Sequence, residues 1–353
     1  MAGPAAPLPV EPAGGRAAGP PRPFVVPRSH ASDVLFESLR TLSANLLTLA
    51  GFVITVILVA TAVLVEVLPP ITHTLLGHSW SILPYSPSTI GPGLNEAPSA
   101  QHWFGTDELG RDVLSRVVAA LPLDLTIGIV ITGLSILIGA GLGLIAGFWE
   151  EGRVGRSASA VILRVTDIFL AFPTLVLAIA LTAIFGHSVD PLTAIVIALT
   201  VTWWPYYVRI VRGEVLVIKH QGYIHAGRIA GLSEGRILVR HVLRNLLEPL
   251  TVYATLDVGT VIVTFSTVAF VIPLPSTILE WGTMVSNYQS LLPGEWWLVM
   301  GPGLAIFVTV LGLSLLGDGL RDVLDPRTRR AFAKETESSF APRPSASSGE
   351  ASE

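Results

Sequence analysis

Long runs of apolar residues alternate with shorter polar stretches along the chain, and inside the runs there is no two-residue alternation. A helix needs about 20 mostly apolar residues to cross the hydrocarbon core of a bilayer. Six runs reach that length, near 45–68, 123–148, 160–185, 192–208, 250–272 and 297–316. Transmembrane strands would alternate apolar and polar residues, because one face meets lipid and the other a lumen. These runs are apolar all round, so their backbone groups must be satisfied within helices. The expectation is an all-α polytopic membrane protein with six transmembrane helices.

Composition supports lipid as the solvent. Of 353 residues, 51% are hydrophobic and 14% charged, against roughly 25% charged in soluble domains. The absence of cysteine excludes disulfides, thiolate metal sites and cysteine nucleophiles. A net charge of −4 gives no case for nucleic acid. Seventeen of the first 23 residues are Ala, Pro or Gly, too little apolar surface to offset chain entropy, so 1–40 reads as a disordered tail. It has no apolar core behind a basic start and is not a signal peptide. The Ser-, Glu- and Pro-rich stretch 331–353 reads as disordered too.

The placement of charge says more than its sum. If the N-terminus is cytoplasmic, 20 of the 22 Lys and Arg fall in the inside segments 1–44, 149–164, 209–249 and 317–353, and only Arg111 and Arg116 fall outside. The positive-inside rule therefore places both termini in the cytoplasm. Four parts follow: the tail 1–40, a first helix with an outer segment over 41–120, a core of five helices over 121–320, and a cytoplasmic tail 321–353.

Several residues stand out. Gly139, Gly143 and Gly147 share one helix face in the second run and allow a neighbouring backbone to come close, as a packing groove or a pore lining. Arg164 and Asp167, three apart, are placed to pair on one helix face, either as an interfacial anchor or as a gating contact. Pro173 predicts a kink in the third run. Trp203, Trp204, Tyr206 and Tyr207 fit an interfacial aromatic girdle, with a lining role as the alternative. Asp257, inside the fifth run, is costly in lipid and must face protein or a cavity, which makes it a candidate for the translocation path. Asp107, Glu108, Arg111, Asp112 and Arg116 alternate in sign and predict an amphipathic outer helix, with i,i+4 pairs Asp107–Arg111 and Asp112–Arg116. The histidines form no compact ligand pair; His220, His225 and His241 read as surface or interface residues, while His73, His78 and His102 are the outer-side residues able to touch a metal substrate. No Gly-x-x-x-x-Gly-Lys-Ser/Thr loop exists, and the lysines Lys219 and Lys334 do not follow glycine, so any ATP hydrolysis belongs to another chain.

The basic stretch 209–249 carries two short helical patterns around a break at Gly231, Leu232 and Ser233, with Ser233 a candidate N-cap. It is either a helix-turn-helix that docks into a soluble partner or a solvated loop that serves only the charge rule. The stretch resembles the coupling loop of ATP-binding-cassette (ABC) importer permeases, whose pattern is Glu-Ala-Ala, three residues, Gly and then Leu-Pro. Here the corresponding positions are His225, Ala226, Gly227 and Gly231, then Leu243 and Arg244, so the Glu, the second Ala and the Pro are replaced. Residues 103–116, WFGTDELGRDVLSR, are similar to the hallmark before the second span of C-type permeases of dipeptide and oligopeptide importers. Arg164–Asp167 with Phe172 and Pro173, Trp281–Gly282 after Pro273 and Pro275, and the run 316–327 resemble the same family in order. An acidic residue and a Leu-Gly pair usual late in span five are replaced by Phe265 to Ile272.

The resemblance implies a type I ABC importer permease fold and a non-enzymatic subunit that moves peptide across the inner (cytoplasmic) membrane. It implies a second, related permease as heterodimer partner, two ABC ATPase subunits that bind ATP and Mg, and an extracytoplasmic solute-binding protein. No cofactor is expected in this chain. Tyr223, His225, Ala226, Gly227, Gly231 and Leu243 become the candidate ATPase-coupling residues. Asp257, Asp167 and Arg164 become candidates for the path or gate, and Asp107, Glu108, Arg111 and Asp112 for the outer segment. Nickel or another small solute is an alternative cargo, and an ion-gradient-driven secondary transporter or a membrane scaffold are the alternatives of other classes.

Overall fold

A computed structural model of the protein describes residues 46–76 and 79–324. The two tails, His78 and the run's end at Asp325, Pro326 and Arg327 lie outside the described residues. All named elements are helical: α1 (Leu46–Leu76), α2 (Val113–Phe148), α3 (Gly152–Leu170), α4 (Thr174–Phe185), α5 (Pro191–Lys219), α6 (Gly222–Ile229), α7 (Glu234–Ile237), a π-helical turn (Leu238–Val242), α8 (Leu243–Val271), α9 (Trp281–Tyr288), a 3-10 turn (Gln289–Leu291) and α10 (Trp296–Leu324). Five of the described helices are long and apolar enough to cross a membrane, and there are six spans when α3 and α4 count as one broken span.

The broken span is the main departure from the expected pattern. Instead of one kinked helix over 160–185, α3 and α4 are bent 91° from each other. The chain breaks at Ala171, Phe172 and Pro173, where Pro173 has no N–H to continue the ladder and instead precedes α4 in N-cap position. The other spans outrun their apolar cores. The first continues through Pro69 and Pro70 to Leu76, the second starts at Val113, the fourth reaches Lys219, and the fifth runs on without interruption from Glu234 to Val271. Charged residues at helix ends do not stop a helix whose other faces are packed; hydropathy registers only the part that must sit in hydrocarbon.

The centre of the bundle is α5. Its most apolar window is 67% buried, against 17% for α1, so α1 is a peripheral helix whose Phe52, Val56, Val59 and Val63 face outward. The glycine face of α2 explains why α5 can be central. A Cβ on Gly143 would lie 2.8 Å from the Val211 Cβ, one on Gly147 3.0 Å from the Val215 Cβ, and one on Gly139 2.6 Å from the Trp204 carbonyl oxygen. Three glycines at four-residue spacing thus meet Tyr207, Val211 and Val215 at the same spacing, one turn per step. The packing-groove reading holds. A pore lining on this face is excluded, because it is filled by α5.

Two ion pairs place the ends of α2 and α5 together. Lys219 reaches Glu151 at 2.7 Å and Arg212 reaches Glu150 at 3.1 Å, both across the turn that joins α2 to α3. We call this the loop end, since α6 and α7 lie between α5 and α8. Residues 79–112 precede α2 at the opposite end, called the hairpin end after the isolated antiparallel bridge between Thr106 and Asp112.

Candidate functional site

At the loop end, the segment between α5 and α8 is itself a folded helical hairpin. The Ile224 and Ile237 side chains are fully buried, as are Val242 and Leu246, and these four anchor the hairpin to the core. Gly231 breaks it. Its φ of +81° lies in the left-handed region that favours glycine, and Gly231 N–H and Leu232 N–H close the turn on the carbonyls of Arg228 and Gly227. Across the break, Arg228 Nε and a terminal guanidinium nitrogen donate to Glu234 Oε1 and Oε2 at 2.9 and 3.3 Å, a clasp between α6 and α7. Ser233 does occupy the N-cap position of α7, but its side chain makes no capping bond.

Six of the loop residues singled out from sequence are located by this hairpin. Tyr223, His225 and Ala226 are exposed on α6; Gly227 is half-buried, and a Cβ there would sit 3.3 Å from Leu232 Cδ1; Gly231 faces open space; Leu243, at the start of α8, is exposed. Tyr223 is tied to α8, since Asn245 Nδ2 donates to its hydroxyl at 3.2 Å. Ile229, 89% exposed at the tip of α6, is the most outward of the loop's large apolar side chains. Arg236, Arg240 and Arg244 of the same loop are exposed as well. Glu151, whose carboxyl is held below its usual value first by the hydrogen bond and then by the charge of Lys219, binds the base of the hairpin to the neighbouring turn.

The interior charges are arranged differently from the expectation. Arg164 and Asp167 do not pair. Arg209 on α5 donates to Asp167 Oδ1 at 2.6 Å instead, and Arg164 is exposed with no ion pair among the described residues. Asp167 thus reaches across to α5 rather than along its own helix. Thr174 and Tyr206 hydroxyls meet at 2.8 Å just beyond the break. The girdle reading of the aromatic cluster is overturned for three of its four residues. Trp203, Trp204 and Tyr207 are buried, and only Tyr206 is exposed. Trp203 Nε1 and the Tyr207 hydroxyl both donate to Asp257 Oδ2, at 2.6 and 2.7 Å, so this in-span carboxylate faces protein as its cost in lipid requires.

At the hairpin end, the predicted outer helix is not formed before Val113. Residues 105–112 make a tight turn, with an isolated antiparallel bridge between Thr106 and Asp112 and left-handed Gly105 and Gly110. Asp107 is the hub. Fully buried, it accepts from the N–H groups of Leu109 and Arg111, from the Arg111 guanidinium at 2.8 Å and from the Tyr288 hydroxyl at 3.3 Å, with Arg116 Nε at 3.5 Å. Burial first, offset by the two arginines, pushes the Tyr288 phenol up to about 12. Asp112 is not Arg116's partner; it caps α2 through Ser115 N–H at 2.7 Å and holds His102 Nδ1 at 2.9 Å. Of the charged outer-segment candidates, Glu108 alone is exposed.

Sequence reasoning missed Arg209 and two buried carboxylates. Asp124 on α2 takes the Trp281 N–H at 3.3 Å, and Glu280 caps α9 through the N–H groups of Gly282 and Thr283. Burial raises the Glu280 carboxyl, with the Thr283 and Gly282 bonds opposing. Gly282 lies against the Ser266 backbone, where its own Cβ would fall 2.6 Å from the Ser266 carbonyl carbon. An acid flanked by Trp-Gly after two prolines was the available signal. Among the described residues no three His, Asp or Glu converge as a metal site.

Comparison with known proteins agrees with this architecture. Residues 139–330 match the family described as binding-protein-dependent transport system inner membrane component. The chain is 40% identical over 231 residues to the probable D,D-dipeptide transport system permease protein DdpC of Escherichia coli K12, covering 65% of this chain and 75% of that one. It is 36% identical over 298 residues to the dipeptide transport system permease protein DppC of Alkalihalophilus pseudofirmus, covering 83% and 90%. It is also 37% identical over 241 residues to the glutathione transport system permease protein GsiD of Pectobacterium atrosepticum, covering 67% and 76%.

Proposed function

We propose, from the premise that this chain belongs to the family of inner membrane components of binding-protein-dependent transport systems, that it is the permease subunit of an ABC importer for peptides. The dipeptide and glutathione permeases among its relatives support small peptides as cargo. In this reading the chain performs no covalent chemistry. A second permease completes the path, two ABC ATPases bind ATP and Mg on the cytoplasmic side, and a solute-binding protein delivers ligand from outside. The loop end is the cytoplasmic end, both termini are cytoplasmic, and the chain resides in the inner membrane.

The observation that carries the reading is the hairpin α6–α7. It is braced inside by Ile224, Ile237, Val242 and Leu246, clasped by Arg228 and Glu234, and exposed at Ile229. It also sits between two long continuous rods, α5 entering and the α7–α8 span leaving. A push on the hairpin by closing ATPases is therefore carried as helix movement, not absorbed as loop deformation. Midway along those rods lie the Asp257 contacts with Trp203 and Tyr207, and on α5 the Arg209 that pairs with Asp167 of α3; we assign these to the path.

Ile229→Asp tests the coupling. Because the side chain is exposed, folding should be unaffected, while recovery of the ATPase subunits with the permease should fall about tenfold or more, the scale of losing a buried interface anchor. Full ATPase recovery together with wild-type uptake of alanyl-alanine would show that the hairpin is not the docking element.

A further inference from the structure

Asp167 and Arg209 form an ion pair in an unusual setting. Arg209 lies ten residues before the end of α5, roughly 15 Å along the helix at 1.5 Å per residue. Both side chains are more than half exposed, at 55% and 56%. Arg209 directly follows the apolar run of α5, on its loop side, so the cluster lies where the span leaves hydrocarbon and water can reach it. Each partner is only half used. One oxygen of Asp167 and one terminal nitrogen of Arg209 make the contact, and no other bond to either charged group occurs among the described residues. One turn back on α3, exposed Arg164 has no ion pair, yet it stands at the i−3 position from which it can reach Asp167. Two cations therefore share one anion at the break, beside the exposed hydroxyl pair of Thr174 and Tyr206.

We infer that this cluster is a ligand subsite that works by ion-pair exchange: Arg209 leaves Asp167 to take the terminal carboxylate of a passing peptide, and Asp167 turns to Arg164. The inference rests on the transport reading above. The charge count favours it, because the cluster holds one cation more than it can pair, and a carboxylate supplies the missing anion. Arginine suits the task, since its fork offers a carboxylate two parallel N–H bonds and the Asp167 contact uses one nitrogen. Exchange also leaves Arg209 and Asp167 both partnered while ligand passes, and gives Arg164 the partner it lacks at rest. The contrast with Asp257 supports the choice of site. Asp257 is bound by two neutral donors packed around it, Trp203 and Tyr207, and among the described residues has no cation to release.

The chain contains no cysteine, so a single introduced thiol reports cleanly on this subunit. Thr174→Cys is made in the full complex with its partner subunits, and labelling by a water-soluble thiol reagent is followed with alanyl-alanine, with alanyl-alanine amide, or with neither. The proposal expects labelling without ligand, slowing by alanyl-alanine about tenfold more than by the amide, the scale of one charge-assisted hydrogen bond. Adding Arg209→Gln should abolish that difference, and Arg209→Lys should restore part of it. Equal protection by acid and amide, protection that survives Arg209→Gln, or a thiol never labelled from water would each overturn the subsite. A complex that takes up alanyl-alanine yet shows no acid-specific protection sinks only this inference. A complex that takes up none sinks the transport reading itself.

Discussion

The hairpin end and the broken span carry similar residues and use them in opposite ways. At the hairpin end, Asp107, Arg111, Asp112 and Arg116 turn inward, and one buried carboxylate collects two arginines, two backbone N–H groups and a phenol. At the break, Asp167, Arg209 and Arg164 stay exposed and incompletely paired. In the sequence the charges looked like an amphipathic surface in the first region and an Arg164–Asp167 anchor or gate in the second. What separates a scaffold from a working contact is how many of a charge's bonding positions are filled and whether water can reach the rest. Saturated, buried charge is costly to disturb; half-used, exposed charge is free to change partner.

Three substitutions probe that difference. The largest effect is expected from Asp107→Asn, which leaves buried Arg116 and half-buried Arg111 without their counter-charge. Breaking a buried ion pair on one side costs about 3–5 kcal/mol, so the solubilised complex should melt well below wild type. A melting temperature within a degree or two of wild type would mean that the hub is not structural. By comparison, Asp167→Asn removes a half-exposed pair of the kind worth roughly 0–1 kcal/mol. It should barely move melting while altering uptake of alanyl-alanine, and a large drop in stability with normal uptake would erase the contrast between the regions.

The smallest effect concerns pH at the loop end. Glu151 is held below its usual value by Lys219, so the stability it contributes is complete above the unfolded carboxyl value of about 4.3 and is lost as pH falls through the folded value. Wild type should therefore lose more melting temperature than Lys219→Met on acidification from pH 6 to about pH 4. Parallel curves would mean that the exposed carboxylate contributes nothing there.

Much of this was legible from sequence because it depends on solvent and on local chain geometry. Apolar length alone locates the spans, since hydrocarbon tolerates no unsatisfied backbone. Four-residue spacing puts Gly139, Gly143 and Gly147 on one face, and only a close neighbour makes use of such a face. Gly231 marks its own turn, because a positive φ is ordinary for glycine and rare for other residues. The hairpin-end turn was not legible: the charge spacing of 107–116 fits a helix, whereas Asp107 bonds back to the N–H groups of Leu109 and Arg111 and left-handed Gly105 and Gly110 turn the chain.

The sequence by itself determined the all-α membrane architecture, the positions of the spans, the family and the break at Gly231 between the fourth and fifth spans. Each follows from local composition or from spacing along one helix. Only the tertiary structure decided the partners: Arg209 rather than Arg164 for Asp167, Trp203 and Tyr207 for Asp257, and the buried roles of Asp124 and Glu280. Charges and donors act over a few ångströms, and which groups come within that range depends on how helices cross and where one of them breaks. The 91° bend at Pro173 is the clearest case, since proline predicts that a helix is interrupted but not where the two halves then point.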